Sequence, residues 1–252
     1  MTFIPCVLKS LPKNQHIAAA KKALDLNPSN LPRTAAIIQP APAKLAVLVG
    51  KRWPSSGVKL TVSFLDNPPQ ETRQKIVWHM NAWAATANVQ FSPTDDRDHA
   101  DVRIARGPDG YWSYLGTDIH LIPPGEPTMN LQDFSSSTPE SEYYRVVRHE
   151  TGHTLGFPHE HMRYTIVKRI DEKKAIYYFG ATQGWTAQEV REQVLTPLER
   201  VKIKGSYRVD ETSIMCYRLP GEITKSGRPI VGGSDITGAD YKFAASIYPK
   251  PK

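Results

Sequence analysis

The chain has 252 residues, 40% of them hydrophobic and 23% charged, enough to bury a sizeable core as one large domain or as two lobes facing a cleft. Two cysteines exclude a disulfide-built scaffold, and the most apolar run, Ala35 to Gly50, is broken by Pro40, Pro42 and Lys44 and is too short to cross a bilayer. The net charge of +7 belongs to one end: eight of the 32 Lys and Arg but only one of the 25 Asp and Glu fall in residues 1–55, which leaves 24 of each sign beyond, so no nucleic-acid partner is expected for the main body.

Residues 1–55 read as a basic extension carrying seven of the 21 prolines, pro-segment-like or packed on the rest, with one helix from about Gln15 to Leu26 that Asn27-Pro28 stops. Residues 56–252 read as the catalytic body. Val58 to Leu65 alternates apolar and polar as a half-buried strand should. After Asn67-Pro68-Pro69 a helix is predicted, with Ile76, Val77, Met80, Trp83, Ala84 and Ala87 on its core face. Val89-Gln90-Phe91 and Asp101 to Ile104 are short strands around a polar turn. The aspartates there, Asp95, Asp96, Asp98 and Asp101, offer oxygen ligands, yet without a glycine-punctuated loop calcium is unsupported and a solvated turn is favoured. Gly110 to Gly116, Asp118 to Ile122 and Thr128 to Leu131 are strand-like. Ser137 and Glu140 have capping-box spacing at the head of the next helix.

That helix carries His149-Glu150-Thr151-Gly152-His153, followed by Gly156 and His159. Imidazoles four apart lie on one helix face and can hold one metal ion. Gly156 permits the left-handed turn that brings His159 back as a third ligand. Three protein ligands leave a position open, the mark of a catalytic zinc rather than a structural one. Glu150 is placed to take a proton from the attacking water as general base. Gly152, mid-helix, costs about 1 kcal/mol relative to Ala and suggests close packing. Beyond the site, Asp171 to Gly180 and Thr186 to Leu195 are candidate helices, the second with the capping box Thr186/Glu189. Thr237 with Asp240 starts a last one, its face formed by Tyr241, Ala244, Ala245 and Tyr248.

His149 to His159 together with Ser213-Ile214-Met215-Cys216-Tyr217 resembles the metzincin zinc peptidases, and Gly156-Phe157-Pro158-His159-Glu160 with Arg163 looks like the astacin family. The likeness runs from about Arg52 to Pro249. It implies an α+β fold: a twisted mixed sheet with long helices, the active-site helix among them, in an upper lobe of about residues 56–156. A mostly helical or irregular lower lobe of about 157–252 would follow, with the zinc cleft between. It also implies Met215 as an apolar floor, Tyr217 as an extra zinc ligand that swings to the oxyanion, and secretion, although Met1 to Ser10 lacks the features of a Sec-type signal. Tyr111, Trp112, Ser113 and Tyr114 are similar to the edge strand that holds an extended peptide or protein substrate, and Arg218 would favour an acidic residue just after the cut. The departures point to a divergent, microbial-type relative: Tyr164-Thr165-Ile166 follows Arg163, Cys216 replaces a common histidine, and the stapling cysteines are missing.

The reading is thus a zinc endopeptidase with one catalytic Zn²⁺, no membrane span and a monomer as the default state. A zinc hydrolase of non-peptide amides and a masked metzincin-fold binding module are the alternatives. For Cys6 and Cys216 two free thiols are the base expectation. A Cys6–Cys216 disulfide and a Cys6 thiolate capping the metal in a latent form are the other readings.

Overall fold

A computed structural model describes residues 6–32, 49–197 and 209–251; most of the Ala35 to Gly50 run therefore lies outside the described residues. Six strands form one mixed sheet in the order β1-β5-β6-β4-β2-β3. They are β1 (Cys6–Lys9), β2 (Val58–Phe64), β3 (Val89–Pro93), β4 (Val102–Ala105), β5 (Tyr111–Tyr114) and β6 (Met129–Leu131). All neighbours are parallel except β5 and β6. The helices are α1 (His16–Leu26), α2 (Gln70–Met80), α3 (residues 140–154), α4 (Glu172–Gln183), α5 (residues 187–195) and α6 (Gly238–Ile247). Both α3 and α5 contain a π turn, Tyr143–Val147 and Arg191–Leu195.

The alternation of Val58, Leu60 and Val62 puts one face of β2 on the main core, where α2 delivers Ile76, Met80 and the following Trp83. The indole N–H of Trp83 donates to the Arg148 carbonyl at 3.0 Å, which docks α3 onto this layer. A second core lies under the cleft, built from Ile166, Ala175, Phe179, Val190, Val194, Leu219, Ile223 and Ile230. No described helix is long and apolar enough to cross a membrane.

Three local expectations change. Asp118 to Ile122 is not a strand but part of a 3-10 helix, Gly116–Leu121. Both edges of β5 are already taken, by β1 and β6, and Asp118 is instead held by the Lys51 ammonium at 3.0 Å. The Ser137–Glu140 capping box does not form. Pro139 takes the cap position, Ser137 bonds Ser135, and the Glu140 carboxylate turns to Lys75 and His79 at 2.8 and 3.0 Å. The β5 edge expected to be open is covered by Cys6–Lys9. The boxes at Thr186/Glu189 and Thr237/Asp240 are both present.

Residues 49–53 join the extension to the body. The Asn30 carboxamide, 2% exposed, bonds Arg52 through both its N–H and its C=O. The Trp53 indole donates to the Thr154 carbonyl, and its backbone N–H donates to the Tyr248 hydroxyl, which in turn donates to the Leu155 carbonyl. Here the chain passes so close to Gly116 that a Cβ on that residue, at φ +50°, would stand 1.8 Å from the Lys51 carbonyl oxygen. Replacing Gly116 with Ala should therefore lower stability by at least about 2 kcal/mol, since αL strain and overpacking add. Thermal denaturation of the G116A protein checks this, and an unchanged Tm would show that residues 49–53 do not sit there.

Candidate metal centre and cleft

The active-site helix α3 places His149 and His153 one turn apart with their ring centroids 4.7 Å from each other. At its end Gly156 adopts φ +84°, and the chain turns back to deliver His159. All three rings are buried. The Nε2 of His159 lies 3.2 Å from that of His149 and 2.9 Å from that of His153. The opposite nitrogens explain the orientation: Nδ1 of His149 donates to the Ile214 carbonyl at 2.6 Å and Nδ1 of His153 to the Phe157 carbonyl at 2.8 Å. With those protons on Nδ1, the Nε2 lone pairs of His149 and His153 point at the Nε2 of His159, and the three nitrogens converge on one point. Such a donor set suits a cation such as zinc, and no other described trio of His, Cys, Asp or Glu groups except Cys6, His149 and Glu150 comes as close.

The Glu150 carboxylate is fully buried, and among the described residues neither oxygen accepts an ordinary N–H or O–H hydrogen bond. Burial pushes the group up to about 8, against the lowering influence of the Cys6 thiol beside it and of Arg145. Burial likewise raises the Cys6 thiol, with Glu150 adding to the effect. Tyr217 is buried with its hydroxyl unsatisfied among the described residues, its ring 4.3 Å from that of His159.

Support comes from below. The Met215 thioether lies directly under α3, where a Cβ on Gly152 would meet Sδ at 2.4 Å, so any side chain at 152 would have to displace it. The Met215 carbonyl accepts from the Glu160 N–H at 2.8 Å. The buried Asp240 carboxylate, at the head of α6, accepts from Ser213 Oγ at 2.6 Å, from the N–H groups of Ile214 and Thr237 at 2.9 Å, and from Thr237 Oγ1 at 3.0 Å. One helix cap thus also holds the 213–217 turn.

A cavity of about 460 Å³ opens beside the metal point, lined by Cys6, Glu142, Arg145, His149, Tyr217 and Arg218 among others. Arg218 is exposed at this cavity. Arg145, which no sequence motif marks, pairs with Glu142 through two bonds of 3.0 and 2.6 Å; its place four residues before His149 was the available signal. Of the strand residues, Ser113 turns inward to Thr154 at 3.1 Å, Trp112 donates to Asp109, and Tyr111 packs on Phe134. Tyr114 stays half-exposed. The four aspartates of the polar turn do not converge. Asp101 accepts from Thr61, Asp96 from the His99 N–H, and Asp95 pairs with Arg73. Cys6 and Cys216 are both free and buried.

A mixed sheet with a three-histidine, one-carboxylate centre under its edge defines a metal-dependent hydrolase working in a cleft. The sequence matches the model of the astacin peptidase family over residues 47–218, and the chain belongs to that family. A curated relative is "Zinc metalloproteinase nas-27" of Caenorhabditis elegans, 26% identical over 197 residues, which make up 78% of this chain but 40% of that protein. Two solved structures of myroilysin are similar: one at 28% identity and TM-score 0.74 covers 80% of this chain and 97% of that one, the other at 25% and 0.60 covers 97% and 99%. A hatching enzyme of Oryzias latipes, at 17% identity and TM-score 0.52 over 80% of this chain and 94% of that one, shares the fold.

Burial holds the imidazoles neutral: His149 is pushed down to about 4, His161 to about 3, and His153 and His159 well below the ordinary range. Folded values below about 6.5 mean that the unfolded chain binds protons first as pH falls. The histidine contribution to stability is therefore complete above about pH 6.5 and is lost as the pH drops towards about 4; the raised Glu150 carboxyl acts with the opposite sign and offsets part of that loss, but one such group stands against four histidines. The Tm of metal-free protein should fall steeply across that window, while zinc-loaded protein should hold to lower pH. A flat Tm without metal would contradict the neutral, converging arrangement.

Proposed function

We propose that this chain is a zinc-dependent endopeptidase of extended polypeptides, held latent by its own residues 6–9. The observation that carries the reading is the convergence of three buried imidazole Nε2 atoms beside a buried carboxylate that, among the described residues, accepts no ordinary N–H or O–H hydrogen bond. His149, His153 and His159 would hold the ion. When bound, zinc supplies Lewis acidity that polarises a carbonyl and makes water a competent nucleophile near neutral pH. Glu150 accepts the proton of that water and returns it to the leaving amine, a task suited to a buried carboxylate beside the three imidazoles. The Tyr217 hydroxyl, which has no hydrogen-bond partner among the described residues, hydrogen-bonds the developing oxyanion. Met215 keeps the floor apolar and the three rings in place.

Latency rests on geometry too. Ligand atoms of Cys6, His149 and Glu150 lie within 4.8 Å of one another, so the Cys6 thiolate would take the position a substrate needs. Pairing of Cys6–Lys9 with Tyr111–Tyr114 covers the strand on which a peptide would be added. Arg218, exposed at the 460 Å³ cavity, is suited to an acidic side chain just after the cut.

Casein or gelatin cleavage tests the whole reading. The zinc-loaded chain should cleave weakly, C6A should cleave faster, and a chelator should abolish activity that zinc restores. E150A should lose about a thousandfold or more and Y217F about a hundredfold in kcat. Absence of protein cleavage in C6A would sink the peptidase assignment in favour of a non-peptide amide hydrolase or a masked binding module. In a peptide library, R218A should lose whatever acidic preference the parent has; an unaltered preference would remove Arg218 from specificity.

A further inference from the structure

Leu8, in the middle of β1, is bonded on the side away from β5. Its N–H donates to Gln193 Oε1 at 3.3 Å, and its carbonyl accepts from Gln193 Nε2 at 3.3 Å. Successive residues of a strand direct their backbone groups to alternate edges. Leu8 thus faces Gln193, while its neighbours Val7 and Lys9 face β5. The extended segment lies between two walls that both read main chain, a strand on one side and a single carboxamide on the other.

Gln193 is built into the cleft. It is half-buried on the π turn Arg191–Leu195 of α5. Its own backbone carbonyl accepts from His161 Nε2 at 3.0 Å. The His161 ring stacks on Tyr217 with centroids 4.1 Å apart and planes 15° from parallel. The clamp is therefore tied through one residue to the tyrosine beside the metal point.

A carboxamide is also suited to more than one chain direction. Reversing an extended strand exchanges the places of N–H and C=O along its edge, and a half-turn of the terminal amide exchanges the acceptor oxygen and the donor nitrogen in the same way. A carboxylate, an ammonium or a hydroxyl lacks that matched pair. We infer that Gln193 is a backbone clamp of the cleft, holding β1 in the covered state and, once β1 has left, the main chain of an extended substrate opposite β5. The first half stands on the observed bonds alone; the second rests on the peptidase reading. Because it grips main chain, the clamp adds affinity without choosing side chains.

Two substitutions separate the amide from its bulk: Q193M keeps the length and removes both polar groups, and Q193E keeps an acceptor but opposes the strand carbonyl with a negative charge. Both leave the backbone bond to His161. In the full-length chain, hydrogen exchange across residues 6–9 and alkylation of Cys6 should each speed up about tenfold in Q193M, as expected for two ordinary neutral hydrogen bonds lost, and at least as much in Q193E. Unchanged rates in both variants would overturn the clamp on β1. For substrate, each non-scissile N–H of a cleavable peptide is replaced in turn by an ester oxygen, and kcat/KM relative to the parent peptide is taken within each enzyme, so that coverage by β1 cancels. In the C6A background, replacement at one position should cost at least about threefold more when Gln193 is retained than in the Q193M variant. If peptides are cleaved and no such position exists, the substrate half of the inference fails while the peptidase reading survives. If nothing is cleaved by the C6A chain, the peptidase reading and the substrate half fall together, and the exchange and alkylation rates still decide the clamp on β1.

Discussion

Three neutral imidazoles, buried together with their lone pairs aimed at one point, are the constraint on which the rest of the molecule depends. The Nε2 atoms stand 2.9 and 3.2 Å apart, and with lone pairs on all three, as metal ligation requires, they would repel in a medium too dry to screen them. A cation of the zinc type would resolve the conflict, and the carbonyls of Ile214 and Phe157 orient two of the three rings towards it. The glycine at 156, with its left-handed backbone, closes this circle in few residues. Glu150 belongs to the same design: it stands in the interior without an ordinary hydrogen-bond donor among the described residues, a costly arrangement unless chemistry uses it.

Rigidity under the centre comes from residues far apart in the chain. Met215 fills the space a side chain at 152 would need, and Asp240 commits one carboxylate to both the cap of α6 and the 213–217 turn. A buried acid accepting four bonds is well satisfied without a counter-charge. The last helix is thereby part of the support of the metal site. Trp53, Tyr248 and Leu155 add a second tie, from the start of the body through its end to the close of α3.

The described parts of the basic N-terminal extension, residues 6–32 and 49–55, pack on the body. They supply the outermost strand next to β5, dock α1 through Ala19, Ala20 and Ala23, and thread past Gly116 and Gly156 where only glycine leaves room. Two of their lysines find acidic partners on the body, Lys9 at Asp109 and Lys51 at Asp118. The second pair is largely sheltered and the first is open to solvent, so Lys51 is the more firmly held. The same four-residue strand covers β5 and sets a thiol beside the Glu150 carboxylate.

How much of this was legible beforehand follows from the range of the forces involved. His149, His153, Gly156 and His159 were readable because helix periodicity and a glycine turn are local, and the caps at Thr186 and Thr237 for the same reason. The alternation of β2 and the core face of α2 were likewise written in spacing. The failures share one cause. Asp118 to Ile122 has the composition of a strand but no free edge to join, and Ser137 with Glu140 has the spacing of a cap but nearer partners in Ser135, Lys75 and His79. Gln193 and the second role of Asp240 carried no pattern that marks them out, and Arg145 only its spacing from His149, because their roles depend on groups that only the fold brings beside them. The sequence by itself determined the three histidines that converge and the elements that present them. Only the tertiary structure decided which edges were free, which carboxylates were already engaged and which segment lay in the cleft, since those depend on competition for partners in space.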